Sequence, residues 1–308
     1  MQYRRLLDYL VYLVVRVLIC IVQAMSLQTG HRMAQHLAWL CCRVLKIRAK
    51  VVDENLRHAF PEQTPLQRRQ LAERMWEHLF LLVVEVAHAR CRIHETNWRD
   101  HVRLAGVGPL LRVMVSGRPV LIVTAHFGNF EIGGFLLGIL GFPTFTVARD
   151  LDNPYLDRLL GRFRAATGQT IVSKNGQFER IVAALEAGGT MTLLADQYAG
   201  PKGCWVQFFG RPASAHKAIA LLSLDHDALV AVCSVRRLAS PLQFEMKLLE
   251  MLDPRDLDRT SDPIRALTQW YTGRLEAMVR QAPEQYWWLH RRWKDPRPPR
   301  RRRAAQAA

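Results

Sequence analysis

Cysteine is scarce and unpatterned in this 308-residue sequence, which has six cysteines and no pair of them at metal-ligand spacing. Most stand inside apolar runs, as Cys41, Cys42 and Cys233 do. Cysteines in such positions behave as small core hydrophobes in a reducing compartment, and they do not indicate a disulfide framework. We therefore expect no metal site, and we expect the folded part of the chain to face the cytoplasm.

Several signatures of familiar chemistries are missing as well. There is no Gly-x-Ser-x-Gly turn, so a serine nucleophile and an acyl-enzyme are not indicated. No His-Glu-x-x-His pair suggests a zinc enzyme. Gly106 and Gly108 lack the third glycine of a dinucleotide-binding turn and precede Pro109, which leaves such a fold unsupported.

Acidic residues are few: 27 Asp and Glu stand against 43 Lys and Arg, a formal net charge of +16. This excess indicates a nucleic acid, an anionic membrane or a polyanionic substrate as partner. No zinc-finger, basic-zipper or RNA-recognition signature accompanies it, which disfavours nucleic acid. The hydrophobic content of 49% excludes disorder of the whole chain and suffices for one large α/β domain, alone or with a small appendage.

One long apolar run lies at residues 6–27, after Arg4 and Arg5, without an obvious signal-peptide cleavage site. It is long enough to cross a bilayer, at roughly 20 residues. However, it contains three polar residues, Asp8, Arg16 and Gln23. A spanning helix, an interfacial helix and a buried first helix of a soluble protein all remain open, and an amphipathic stretch at 33–45 extends the apolar surface. We predict a membrane-anchoring segment over residues 1–46.

The remainder alternates between the two periodicities of regular structure. Residues 64–92 have helical spacing. We predict strands at 119–124, 144–148, 170–172, 190–195, 229–235 and 244–249, and helices at 131–140, 154–166, 177–187 and 264–281. This alternation predicts an α/β fold with a largely parallel or mixed central sheet covered by helices, over residues 47–295. The basic stretch 296–308 is predicted to be a disordered tail.

The stretch 120–131 carries the clearest chemistry. An apolar strand ends in Ala125, His126 and Gly128, and then a helix begins. Polar groups at the carboxyl end of a strand in an open α/β sheet lie where such folds bind ligands. A neutral His126 is a competent general base, and Glu131 in the first helical turn can orient the imidazole and stabilise its charged form. Gly128 lets a substrate or another backbone approach closely.

Here the sequence resembles the bacterial lipid A late acyltransferases, the lauroyl and myristoyl transferases, and their relatives that acylate mannosylated phosphoinositides. The resemblance covers most of the chain and follows five ordered blocks. They are 52–61 with Asn55-Leu56 and Ala59-Phe60-Pro61; His126-x4-Glu131; Arg149 with Asp152-Asn153-Pro154; Asp196-Gln197 with 208–212; and Pro283-Glu284-Gln285 with Trp288, His290-Arg291-Arg292 and Lys294.

The resemblance implies a glycerolipid-acyltransferase-like fold and transfer of a fatty acyl group from an acyl carrier protein or coenzyme A thioester to a hydroxyl. The implied acceptor is an anionic glycolipid, a 3-hydroxyacyl chain of a lipid A precursor, reached at the cytoplasmic face of the bacterial inner membrane. The thioester is a co-substrate, and no bound cofactor is expected. His126 would be the base, with Glu131 orienting it.

Five further residues are candidates for the substrate site. Arg149, or a backbone amide near Gly128 and Asn129, would stabilise the oxyanion; Asp196 would be a second carboxylate near His126; and Arg211 would hold a substrate phosphate.

Each of these roles has an alternative. Arg149 could pair with a neighbouring aspartate, Asp196 could cap a turn, and Arg211 could be a solvated loop residue. The protein as a whole could acylate another lipid, such as a phosphoinositide mannoside or an amino-acid lipid. It could also be a non-enzymatic basic membrane-peripheral protein with a degenerate transferase fold.

Overall fold

The strands and helices of the second half of the chain alternate, and they build one twisted sheet covered on both faces. The computed structural model describes residues 2–148, 150–173, 178–257 and 261–294. Its strands are β1 Val102–Ala105, β2 Val120–Thr124, β3 Thr144–Ala148, β4 Gln169–Ser173, β5 Thr190–Leu194, β6 Cys204–Phe208, β7 Arg211–Ala215, β8 Leu229–Arg237 and β9 Phe244–Leu252. The predicted strands at 119–124, 144–148, 170–172, 190–195, 229–235 and 244–249 are all found, with small differences at their ends.

The helices pack on this sheet and extend its amino-terminal side. They are α1 Gln2–Ala24, α2 Leu27–Trp39, α3 Ala49–Ala59, α4 Pro65–Arg92, α5 Gly108–Val115, α6 Phe130–Ile139, α7 Pro154–Ala165, α8 Phe178–Glu186, α9 Ala218–Asp225 and α10 Pro263–Gln281. A short π-helical segment, Leu40–Val44, continues α2. α4 begins with a capping box, in which the Thr64 hydroxyl accepts the Gln67 N–H and the Gln67 side chain accepts the Thr64 N–H.

The main sheet has seven strands in the order β1-β9-β8-β2-β5-β3-β4. All neighbouring pairs are parallel except β8 and β9, which are antiparallel and carry a register shift between Val232 and Cys233. The mixed, mostly parallel sheet confirms the predicted fold class. β1 and the separate β6–β7 hairpin were not predicted.

Residues of the central strand alternate between two hydrophobic cores, as the period of a β-strand requires. Val120 and Ile122 enter the core that also contains residues of α5 and α6. Leu121 and Val123 enter the opposite core, which contains residues of α3, α9 and α10. Because β2 is covered on both faces, its carboxyl end, which precedes His126, has a fixed position at the end of the sheet where the parallel strands terminate.

The amino-terminal helices pack on the sheet domain through α4. α2 runs along α4, where His31 Nε2 lies 2.7 Å from the Glu77 carboxylate. α1 is the described helix that is long and apolar enough to cross a membrane, over Arg4–Ala24, and this span is exposed. The boundary at residue 46 stays a prediction, and the basic tail lies outside the described residues.

Candidate active site

His126 and Asp196 meet at one edge of the sheet because their strands are parallel neighbours in register. Thr124 at the end of β2 pairs with Leu194 at the end of β5, and each functional residue comes two positions later. His126 Nδ1 lies 2.8 Å from Asp196 Oδ1. The Asp196 side chain is 3% exposed and that of His126 is 16% exposed. The structure therefore places Asp196 beside His126, as the sequence analysis considered.

The protonation of this pair follows from its surroundings. Burial raises the pKa of Asp196. The charge of His126, its hydrogen bond and the backbone N–H groups of His126 and Asp196 lower this pKa by more than burial raises it, so the net shift is downward. An ionised carboxylate only accepts hydrogen bonds, so Nδ1 of His126 carries the proton and donates it. Nε2 is left as the basic nitrogen, with Gln197 Nε2 3.4 Å away.

The pKa of His126 is likewise set by burial and by its interaction with Asp196. Burial lowers this pKa, the charge of Asp196 and its hydrogen bond raise it, and the charge of Glu131 adds a smaller increase. The net direction is up, so the protonated imidazole is stabilised in place. This is the property required of a group that takes a proton during a reaction and then returns it.

Glu131 does not make the hydrogen bond to His126 that the sequence analysis expected. In the described structure its two carboxylate oxygens accept from Arg164 of α7, at 2.7 Å from Nη2 and 3.0 Å from Nε. α6 begins at Phe130, so Glu131 projects from the first turn towards the neighbouring helix. Asp196 therefore orients His126, and Glu131 acts on it only through its charge.

Glu131 and Arg164 lie at an apolar cavity of about 100 Å³ beneath α6. Aliphatic side chains of the core that contains α5 and α6 line this cavity, among them Leu104, Leu110, Ile122, Leu137, Leu140 and Met246. Phe130 lines it as well and also contacts the His126 ring, with 5.0 Å between ring centroids. Phe130 therefore stands between this cavity and the His126 ring.

The turn after His126 is fixed by two distant segments. The Gly128 N–H donates to the Gln285 carbonyl at 2.9 Å, and the Asn129 N–H donates to the Val235 carbonyl at 2.9 Å. The N–H groups of Gly128 and Asn129 are therefore already satisfied and are not open to an oxyanion in this arrangement, while stabilisation of the oxyanion by Arg149 or by another amide of this turn stays a prediction. Gly128 has φ +58°, and a Cβ there would lie 1.9 Å from the Val235 oxygen. The expected close backbone approach at Gly128 is confirmed.

The segment after α10 closes the site from the other side. The backbone N–H of Trp287 donates to the His126 carbonyl at 3.0 Å, and Phe127 forms an isolated antiparallel bridge with Tyr286. The Trp287 ring lies edge-on to the imidazole, with 5.6 Å between centroids. Burial, followed by the charge of Asp196 and a hydrogen bond to it, raises the pKa of Tyr286 well above its usual value. His126 is therefore framed by aromatic rings.

Asn129 is a structural residue, not an open ligand for substrate. It is fully buried, its side-chain oxygen accepts the Ile132 N–H at the start of α6, and its Nδ2 donates to Glu85 at 2.8 Å. Glu85, also fully buried, accepts two hydrogen bonds from Arg237, at 2.6 and 2.7 Å. This buried network ties α4 and β8 to the turn that carries His126.

His78 completes that network. Arg237 Nη1 donates to its Nδ1 at 2.5 Å, and its Nε2–H donates to the Gly128 carbonyl at 3.2 Å. Burial, with the nearby Arg237 charge, lowers the pKa of His78 well below its usual value. His78 is therefore neutral and positions the turn without titrating near pH 7.

Neither of the two arginines predicted to bind substrate is found beside His126 in the part of the chain that the structure describes. Arg149 lies outside the described residues. Arg211 begins β7, is exposed, and lines a separate surface cavity of about 330 Å³ with His58 and Trp293. It does not line the cavity beside Glu131, so the structure separates it from that cavity. Its role as a phosphate ligand stays a prediction.

Arg164 and Glu85 were not predicted as residues of the site, because only tertiary contacts identify them. Nothing in their spacing distinguishes them from other helical charges. Within the described ranges, no group of three or more His, Cys, Asp or Glu side chains could hold a metal ion.

Comparison with known proteins identifies the family of the chain. The family described as bacterial lipid A biosynthesis acyltransferase matches residues 1–295. The chain is 26% identical to the lipid A biosynthesis lauroyltransferase of Escherichia coli strain K12, over 86% of this chain and 85% of that protein. It is also 26% identical to the palmitoleoyltransferase of that strain, over 81% and 80%. A Haemophilus influenzae lipid A biosynthesis acyltransferase is 20% identical, over 82% and 77%. The chain therefore belongs to the bacterial lipid A biosynthesis acyltransferase family, and it is an acyltransferase.

Proposed function

We propose that the protein transfers a fatty acyl group from an acyl thioester to a hydroxyl of a lipid A precursor, with His126 as general base. The thioester is carried by acyl carrier protein or coenzyme A, and the acceptor hydroxyl is on a 3-hydroxyacyl chain. The observation that carries the proposal is the His126–Asp196 pair, which Phe130 separates from an apolar cavity, in a chain of this family.

The chemistry needs one base and one returned proton. His126 Nε2 takes the proton of the acceptor hydroxyl as its oxygen attacks the thioester carbonyl. The tetrahedral intermediate then expels the thiolate, which takes the proton from the imidazolium. Asp196 stabilises the imidazolium between these steps, because the buried carboxylate and the cation attract each other more strongly than in water. Arg149 is retained as the candidate that stabilises the oxyanion.

Direct transfer, without an acyl-enzyme, agrees with the side chains around the cavity. Cys233 lines it, but burial raises the pKa of this thiol to about 12, which keeps it neutral at physiological pH. A neutral buried thiol is a poor nucleophile. Both substrates would therefore be bound together, with the acyl chain in the apolar cavity and the acceptor above His126.

The charge and the first helix support the proposed location and partners. A net charge of +16 favours approach of an acidic carrier protein and of an anionic acceptor lipid. The exposed apolar helix α1 would keep the enzyme at the membrane that contains the acceptor. We place it at the cytoplasmic face of the inner membrane, where acyl thioesters are available.

The test is transfer of labelled acyl chains from acyl carrier protein to a tetraacyl lipid A precursor in detergent. Wild type, His126→Ala, Glu131→Ala and a control, His94→Ala, would be compared; His94 is exposed and follows α4, away from the site. We expect product from wild type and the control, and a loss of at least a hundredfold in His126→Ala. Equal rates in all four would refute the mechanism.

Two further readouts separate the parts of the proposal. Mass spectrometry of acid-quenched wild type during single turnover should show no acylated protein; a stoichiometric acyl adduct would contradict direct transfer. Parallel reactions with acyl-coenzyme A and with a phosphoinositide mannoside acceptor would identify the donor and the acceptor. Transfer only to the mannoside would overturn the proposed substrate while leaving the base in place.

A further inference from the structure

α1 has one face that packs on the protein along nearly its whole length. Asp8, Tyr12, Val15, Ile19 and Val22 are half-buried, whereas the residues between them are exposed. Their spacings of four, three, four and three residues place them on one stripe of an α-helix. α1 therefore lies along the body of the enzyme and does not project from it.

Near its amino end, α1 is attached to α7. Asn153 Nδ2, at the start of α7, donates to the Asp8 carbonyl at 2.9 Å. The rings of Tyr9 and Tyr12 pack on Tyr155, with centroids 5.3 and 5.9 Å apart. Three aromatic rings and a hydrogen bond thus hold this end against the domain.

Near its carboxyl end, α1 is attached to α4. Gln23 Nε2 donates to the Ala87 carbonyl at 2.8 Å, and Val22 packs on a cluster that includes Leu81 and Val84. From Asp8 to Gln23 the helix rises about 22 Å at 1.5 Å per residue. A helix attached to one folded body at both ends of such a length could cross a bilayer only if α4 and α7 crossed it too.

The exposed surface of α1 divides into two flanks of opposite character. Arg5, Tyr9, Arg16 and Gln23 follow one another at spacings of four, seven and seven residues, which keeps them on one side. Tyr9 and Gln23 contact the protein from this side, and Arg5 and Arg16 are its exposed charges. The rest of the exposed surface is apolar over the whole helix: Leu6, Leu7, Leu10, Val11, Leu13, Val14, Val17, Leu18 and Ile21 are each 40% exposed or more. Separate polar and apolar sides are one property of helices that lie at a membrane surface.

Arg16 distinguishes the two orientations energetically. It stands near the middle of α1, is exposed, and forms no ion pair with any residue that the structure describes. In a spanning helix its charge would lie near the bilayer centre, at a cost of about 2.5–3.5 kcal/mol on insertion scales. In a helix parallel to the surface, Arg5 and Arg16 both reach the anionic headgroups, and this cost disappears.

We infer that α1 lies in the plane of the membrane, with its apolar flank in the acyl-chain boundary and its polar flank among anionic headgroups, and that it does not cross the bilayer. The partner is the lipid surface itself. Because α7 also carries Arg164, this orientation brings the domain face next to the Glu131–Arg164 pair close to the bilayer. The inference concerns α1 alone and does not depend on the role proposed for His126.

The test measures depth residue by residue in full-length protein reconstituted into vesicles of phosphatidylethanolamine and phosphatidylglycerol. Cys20 and Cys91, the exposed cysteines, are replaced by serine, and this parent is the blank. Single cysteines at Leu10, Leu13, Val17, Arg16 and Gln23 then carry a spin label, and depth is read from accessibility to oxygen and to a polar nickel complex. A thermal unfolding midpoint equal to that of the parent shows that each labelled protein is folded.

The two orientations give different profiles. In-plane α1 gives a depth that oscillates with a period of 3.6 residues: Leu10, Leu13 and Val17 all lie about 5–10 Å deep, while the adjacent Arg16 is in water. A spanning helix gives a single maximum near its middle, with Arg16 as deep as Val17, and this would overturn the inference. Apolar positions shielded from both probes would also overturn it, since a second copy of the chain would then cover the flank.

Sidedness gives an independent readout. Arg5→Cys and, as a same-side control, Gln28→Cys on α2 are treated with a membrane-impermeant maleimide in sealed vesicles whose catalytic domain faces outward. We expect both to react to the same extent. Labelling of Gln28→Cys with Arg5→Cys protected until detergent is added would show that α1 crosses the bilayer.

Discussion

Replacing Asp196 with asparagine should separate the charge of this residue from its shape. The 2.8 Å contact to His126 Nδ1 can persist with an amide, but the negative charge is lost. For unit charges roughly 4 Å apart at an effective dielectric constant of about 20, the lost attraction to the imidazolium is about 4 kcal/mol. If all of it stabilises the transition state, the turnover rate falls about a thousandfold.

The pH profile makes this prediction specific. His126 must be neutral to act as base, so activity rises with pH through its pKa. Asp196 and its hydrogen bond raise that pKa against the lowering effect of burial. Without the carboxylate, burial dominates, and the acid limb of the profile should move to lower pH while the maximum rate falls. A merely destabilised enzyme would lose rate without moving the limb.

The assay is initial-rate acyl transfer at saturating thioester between pH 5 and pH 9, with thermal unfolding recorded at each pH. Asp225→Asn is the matched control, because Asp225 is exposed at the end of α9 and undergoes the same chemical change. Asp196→Asn activity within threefold of wild type, with an unmoved acid limb, would refute the assignment of Asp196 as the partner of His126.

Three other substitutions test the surroundings of the site. Gly128→Ala should lower the free energy of unfolding by at least about 2 kcal/mol in urea titrations, since its φ is +58° and its Cβ would meet a backbone oxygen at 1.9 Å; an unchanged midpoint would contradict the close approach. Glu85→Gln should cost about 3–5 kcal/mol by leaving buried Arg237 without its counter-ion, and a normal melting temperature would argue against that pair. Burial lowers the pKa of His290 to about 4; the negative charge of Asp196 opposes this shift, and the nearby positive charges of Arg292, Lys294 and His126 add to it. The free energy of unfolding should therefore decrease as the pH falls from about 6.5 towards 4. In His290→Gln, whose side-chain oxygen can accept the Tyr198 N–H, stability should fall less over this pH range. An equal loss of stability in the variant and in wild type would refute this role of His290.

The strands and the position of His126 could be predicted because their causes are local. The strand predicted at 144–148 is found with the same bounds as β3. β2 is apolar at every position except its last, and the polar residues that follow mark its end. The carboxyl ends of parallel strands meet at one edge, so Asp196 could be considered as a neighbour of His126. That β5 is the strand beside β2 is a property of the tertiary fold.

The errors arose where a distant segment decides the outcome. Glu131 was correctly placed in the first turn of a helix, but local sequence does not reveal that Arg164 lies opposite. The amides of Gly128 and Asn129 were expected to be open, yet carbonyl groups more than a hundred residues later accept both. The β6–β7 hairpin was missed because β7 contains Pro212 and small residues, which have little intrinsic preference for strands.

The segment that closes the site also sets an order of events during synthesis. His126 is translated long before Gln285 and Trp287, which its turn needs as partners. At roughly 5–20 residues per second, the ribosome requires on the order of 10 s to cover that interval. α1 has by then left the ribosome. With α1 on lipid as inferred above, the nascent chain would reach the membrane before the turn that carries His126 is complete. A chain released before residue 285 would therefore hold His126 in an unfinished turn.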